Sequence, residues 1–85
     1  MFTPTQTLTM HNAGATLAEG LRAVSAGQTG IDLAQLTVVD SAAVATLLAW
    51  RRAALAQGGS LSFHHVPPNL QSLIDLYGVA ELLPT

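Results

Sequence analysis

At 85 residues the chain supplies one hydrophobic globule and no material for a second, so a single domain spanning residues 1–85 is expected. The absence of Cys excludes a disulfide framework, a thiolate nucleophile and a thiolate metal site. Lys is also absent, and Arg22, Arg51 and Arg52 are the whole basic complement of a chain with formal net charge −2, so the positive footprint that grips a nucleic acid is missing. Charged residues make up 9% of the chain against about 25% in a typical domain. With 49% hydrophobic residues and few aromatics, the core should be aliphatic and Ala-rich. Such a weakly charged surface suits a protein covered by a partner, although an Ala- and Leu-rich composition alone gives the same surface.

The N-terminal MFTPTQTLTMHN has no basic region followed by an apolar run, and no stretch approaches the roughly 18 apolar residues of a membrane span. A cytoplasmic setting is therefore expected. Residues 5–10, TQTLTM, alternate polar and apolar side chains and predict a half-buried strand. From Ala15, the positions Leu17, Ala18, Leu21 and Val24 recur at three and four, a short amphipathic helix ending before Gly27 and Gly30.

Residues 30–39, GIDLAQLTVV, read as one extended stretch leading to Asp40 and Ser41, either of which can cap the helix that follows to Gln57 and stops at Gly58-Gly59. On that helix Val44, Leu47, Leu48 and Leu55 share an apolar stripe with Arg51 at its edge, its stem packed and its head in water. Trp50 projects from the flank beside Ala43 and Ala54, as a plug of the core edge or as an anchor on a surface patch. LSFHHV, residues 61–66, is strand-like. Pro67-Pro68 ends it and opens a last helix with Leu70, Leu73, Ile74 and Tyr77 on one face and Gly78 as its cap, leaving VAELLPT as a tail. Strands alternating with helices predict an α/β sheet covered by helices.

Little in this pattern supports catalysis. His64 and His65 are adjacent and would point to opposite faces of a strand, and His11 is remote, so no metal is expected. Ser41 lies at a strand-to-helix turn, but VVDSAA lacks the glycines of a nucleophile elbow. No phosphate-cradling glycine loop occurs either, and no cofactor is expected. What remains is a hydroxyl at a helix start beside an acid, which a plain N-cap also explains.

The whole pattern goes further. D-L-x-x-L-x-x-V-D-S-A, a helix ending at Gly, and L-x-x-L-Y-G-V near the end together resemble a STAS domain over roughly residues 15–85. That resemblance implies an α/β fold with a small mixed sheet covered by helices, here with a shortened N-terminal strand region. Met1–Pro4 is too short for the usual first strand, which implies a sheet edge left bare or covered by a partner or a second copy of the chain.

Two branches of the family compete. Anti-sigma factor antagonists resemble D-S-S-G-L, with the second serine phosphorylated by a kinase that doubles as the anti-sigma factor; here that position is Ala42 and the next is Ala43. The small STAS subunit of phospholipid-trafficking ABC transporters, the MlaB type, is similar to V-D-T-G-G-L, which Asp40 and Ser41 match. The second branch implies a non-catalytic cytoplasmic protein, peripheral to the inner membrane through its complex, that binds the ATPase subunit and supports phospholipid transport and outer-membrane lipid asymmetry. Asp40 and Ser41 would then contact the partner or accept a phosphate, with Ala42, Ala43 and Trp50 on the partner-binding surface.

Overall fold

The computed structural model describes residues 1–83. In chain order it contains β1 (Gln6–Leu8), α1 (Ala13–Ser25), β2 (Gly30–Asp32), β3 (Leu36–Val39), α2 (Ser41–Ala56), β4 (Ser62–His64), α3 (Pro68–Leu76) and a 3-10 turn (Ala80–Leu82). This is the α/β alternation read from the sequence. The strands form two parallel ladders, β1 with β3 and β2 with β4. Parallel partners require long crossover connections, which the segments containing α1 and α2 supply.

The stretch expected to run extended from Gly30 to Asp40 is instead two strands in different ladders. Asp32 is the reason: its carboxylate accepts the Ala34 N–H at 2.9 Å, an Asx-type turn that withdraws the backbone from strand pairing, and Leu36 N–H then closes on Leu33 O at 3.1 Å. The N-terminal segment reaches both ladders. Phe2 bridges Ile31 in parallel and its carbonyl accepts the Asp32 N–H at 2.9 Å, so the β2 edge is occupied at that point by the chain itself. Pro4 has no N–H with which to extend the bridge, and the chain resumes pairing at β1 across an irregularity at Gln6 and Thr7.

Each of the three α-helices ends with the same device. After α1, Gln28 N–H reaches Ala23 O and Gly27 N–H reaches Val24 O; the same six-to-one and five-to-two pair closes α2 at Gly58 and Gly59 and α3 at Gly78 and Val79. The residue after each cap adopts positive φ, at 97°, 81° and 67°, a region where a Cβ is costly.

The buried side chains of strands and helices form one cluster containing Leu8, Ile31, Leu33, Leu36, Leu47, Phe63, Leu70 and Ile74. β4 shows the resulting alternation, with Phe63 inward and Ser62 and His64 outward. Helix faces are rotated from the expectation. In α1 the inward positions are Ala13, Leu17, Gly20 and Val24, while Ala18 and Leu21 are exposed. In α2 they are Ala43, Leu47, Trp50 and Ala54 with Val44, while Leu55 is exposed.

Trp50 is 0% exposed, which corrects its assignment to a partner-binding surface. Its indole lies against the backbone of Gly20, its Nε1 donates to Leu17 O at 3.0 Å, and the Phe2 ring meets it edge-on at 5.6 Å. A large aromatic whose single polar atom has a partner gains more by burial than by facing water. Ala43, also 0% exposed, is removed from the expected surface for the same reason of helix rotation. The segment read as a tail is anchored too, since Leu83 is buried in the core.

Candidate interaction site

Because β1 and β3 are parallel, their C-terminal ends emerge side by side, and this brings the loop after β1 to the start of α2. Asp40 sits there in an extended conformation and is the N-cap. One carboxylate oxygen accepts the Ala42 N–H at 2.8 Å; the other accepts the Met10 N–H at 3.0 Å across thirty positions of chain. Asn12 holds the same loop, accepting the Thr9 N–H and donating to Thr7 O. Of the two residues able to cap α2, Asp40 does so, and Ser41 is left exposed as the first helical residue.

Removing the Asp40 carboxylate should therefore cost more than an ordinary exposed acid. Asp40→Ala loses the cap and the tie to Met10 together, and an expected loss of about 1–2 kcal/mol follows from cap substitutions elsewhere. Urea unfolding should show a lowered midpoint at unchanged slope. Asp40→Asn, which keeps one accepting oxygen, should recover part of the loss.

Ser41 opens onto a groove of about 480 Å³ lined by Ser41, Val44, Ala45, Leu48, Tyr77 and Val79. The α2 residues stand at i, i+3, i+4 and i+7, one face of the helix. Tyr77 and Val79 flank the positive-φ Gly78, whose turn folds the end of α3 back toward α2. Tyr77, expected on the buried face of α3, is 51% exposed, and Leu76 and Leu82 are exposed as well. Of the residues assigned to the site by sequence, Asp40 and Ser41 come together here, Ala42 is half-buried behind them, and Ala43 and Trp50 belong to the core. Tyr77 and Val79 were missed as lining residues; L-Y-G-V carried the only signal, a glycine that reverses the chain between two apolar side chains.

The histidines lie elsewhere. β4 ends at His64, and His65 takes a positive φ of 57°, so the two rings are not sent to opposite faces but sit 6.5 Å apart between centroids. His64 Nε2 meets the Ser62 hydroxyl at 3.0 Å and His65 Nδ1 meets the Asp32 carboxylate at 3.2 Å. The Ala34 N–H, and after it the hydrogen bond and charge of His65, hold the Asp32 carboxyl below its usual range against a partial opposing effect of desolvation. Among the described residues no three or more His, Asp or Glu side chains form a group able to hold a metal.

A family model described as "Mlab, STAS domain" matches residues 5–84. The chain belongs to this STAS family. No curated protein matches it. STAS domains generally serve as regulatory and interaction modules rather than enzymes, and the parallel ladders with three helices are consistent with that fold. The match extends across the N-terminal strand, the Asp40-Ser41 turn and the groove at the end of α3. Among the described residues no helix of this STAS domain is long and apolar enough to cross a membrane.

Proposed function

We propose that this STAS domain is the small non-catalytic subunit of an ABC transporter that moves phospholipid across a Gram-negative envelope and maintains outer-membrane lipid asymmetry, seated on the cytoplasmic ATPase subunit. The observation that carries this reading is the exposed Ser41 at the mouth of an apolar groove, on a turn pinned from two sides by Asp40. A rigid turn beside apolar side chains can be covered with little loss of chain entropy. The MlaB description of the matching family favours the transporter branch.

The alternative is an anti-sigma factor antagonist controlled by phosphorylation. Exposure of Ser41 would admit a kinase, and a phosphate at a helix N-terminus is electrostatically favourable. Against it stands Ala42 at the family's acceptor position.

Ser41→Glu separates the two. A carboxylate at the first position of α2 suits the helix dipole, so the thermal midpoint should be unchanged, whereas burying an unpaired charge against a partner is unfavourable. Native purification of tagged wild-type protein should recover an ABC ATPase and its permease, identified by mass spectrometry. The Ser41→Glu protein should lose them by about tenfold or more. Recovery of a histidine-kinase-like anti-sigma factor, phosphate on native Ser41, or undiminished transporter recovery with Ser41→Glu would overturn the reading.

A further inference from the structure

The positive φ of His65, just past the end of β4, brings two adjacent imidazoles to a centroid separation of 6.5 Å. Few residues with a Cβ adopt that region, and such outliers collect at functional positions. Each ring is also held through one nitrogen. The Asp32 carboxylate that meets His65 Nδ1 has no proton to give, so Nδ1 is the donor and the neutral ring keeps its lone pair on Nε2. The Ser62 hydroxyl donates its single proton to Thr29 O at 3.3 Å and therefore accepts from His64 Nε2, which leaves the His64 lone pair on Nδ1. The Nε2–Cδ2 edge of His64 lies over Gly30, 3.1 and 3.3 Å from where a Cβ would stand, so Nδ1 is turned away from β2. Both histidines are exposed.

A histidine whose Nδ1–H is held by a carboxylate is in the form that metal ligands adopt. We propose that His64 Nδ1 and His65 Nε2 bind a divalent cation of the zinc class, and that the same pair from a second copy of the chain completes a tetrahedral site of four nitrogens. Imidazole suits zinc and its neighbours, whereas Mg2+ and Ca2+ take oxygen. With zinc–nitrogen bonds of about 2.0–2.1 Å, two imidazoles on a tetrahedral ion have centroids roughly 5 Å apart, so the rings close by little more than about 1 Å. Rotation of two exposed side chains supplies this. Among the described residues no third His, Asp or Glu joins the pair, and a closed zinc site takes four ligands, so the site is incomplete without a second chain. Two observations favour a second copy as that chain. Each copy brings an Asp32 behind its His65, and two carboxylates match the charge of the ion. β4 also lies at the end of its ladder, paired with β2 on one side, and β2, β3 and β4 contain no Lys or Arg to repel a cation or each other.

Neither Ser41 nor the groove takes part, so the transporter reading does not enter the test. The full chain, purified without a histidine tag and freed of metal with EDTA, is titrated with ZnCl2 by calorimetry, and its mass is followed by analytical ultracentrifugation. Saturation at about half an equivalent of Zn2+ per chain is expected, with a doubling of mass that EDTA reverses. Co2+ in place of zinc should give the visible absorption of a tetrahedral site, and Mg2+ should leave the protein monomeric. His64→Gln and His65→Asn should each weaken zinc binding by about tenfold or more, with the thermal midpoint in EDTA unchanged because both side chains are exposed. Asp32→Asn acts through His65 rather than on the ion, and should weaken binding by about tenfold while the stoichiometry stays the same.

Absence of saturable zinc binding overturns the proposal. So does binding of one ion per chain with no change of mass, which would mean that water rather than a second copy completes the site. Zinc affinity unchanged in both His64→Gln and His65→Asn would place the ion elsewhere, as would its loss in His11→Gln, and either result overturns the assignment to this pair.

Discussion

Trp50→Ala should lose about 3–5 kcal/mol of stability, the range for removing a large buried aromatic. A chain of 85 residues has a total stability on the order of 4–13 kcal/mol, so this one substitution should leave it marginal or unfolded at ordinary temperature. Three losses combine. The cavity cannot refill from α1, because the facing residue is Gly20; Phe2 loses the ring it meets edge-on; and the bond from Nε1 to Leu17 O disappears. Trp50→Phe isolates part of this, keeping an aromatic ring while removing the donor, and should cost about 1–2 kcal/mol. Unfolding followed by far-UV circular dichroism is the appropriate measurement, since the variants lose the indole fluorophore. A Trp50→Ala protein with a native midpoint and impaired partner binding would return this residue to the surface.

Gly20→Ala should destabilise the domain although it improves the helix. By propensity alone an Ala in α1 is favoured over Gly by about 1 kcal/mol. Here, however, a Cβ on Gly20 would overlap Cε2, Nε1 and Cζ2 of Trp50. The indole is fully buried and held by its own hydrogen bond, so it cannot swing aside. Overpacking of this kind costs about 1–3 kcal/mol, sometimes more, and outweighs the propensity gain. Gly14→Ala in the same helix is the control: nothing lies within 4 Å of its added Cβ, and it should be neutral or slightly stabilising. Combining Gly20→Ala with Trp50→Phe should cost less than the two separately, because residues in contact do not contribute independently. Additive losses would mean that the two residues do not touch.

These two residues also show where sequence reading stopped. Gly20 interrupts no periodicity and reads as a mild weakness of a helix; its role as a seat for an indole depends on a residue thirty positions later. Trp50 belongs to a helix rich in Ala and Leu, where so many positions are apolar that periodicity cannot choose the inward face. The face is chosen by where α1 lies. Asp32 is legible in principle, since Asp favours a turn in which its own carboxylate accepts the N–H two residues on, but the apolar residues around it outweigh that signal and the stretch reads as one strand.

At the site, the Asp40-Ser41 junction stood out as an acid and hydroxyl at a strand-to-helix turn in a chain poor in charge. Which of the two capped the helix depended on β1 and β3 pairing in parallel, because only that pairing brings the Met10 N–H to the second carboxylate oxygen. Tyr77 and Val79 face α2 only once Gly78 has reversed the chain.

The sequence by itself determined the alternation of strands and helices, the glycine-terminated helix ends, the family pattern and the turn that carries Ser41. All of these depend on local backbone preferences and on residues close together along the chain. The tertiary structure alone decided which helix faces are buried, that Trp50 is core rather than surface, that the N-terminal segment reaches both ladders, and that an apolar groove opens beside Ser41. Those outcomes arise from contacts between residues far apart in sequence, where shape complementarity of particular side chains, such as an indole against a glycine, selects one packing among several that the same hydrophobic pattern permits.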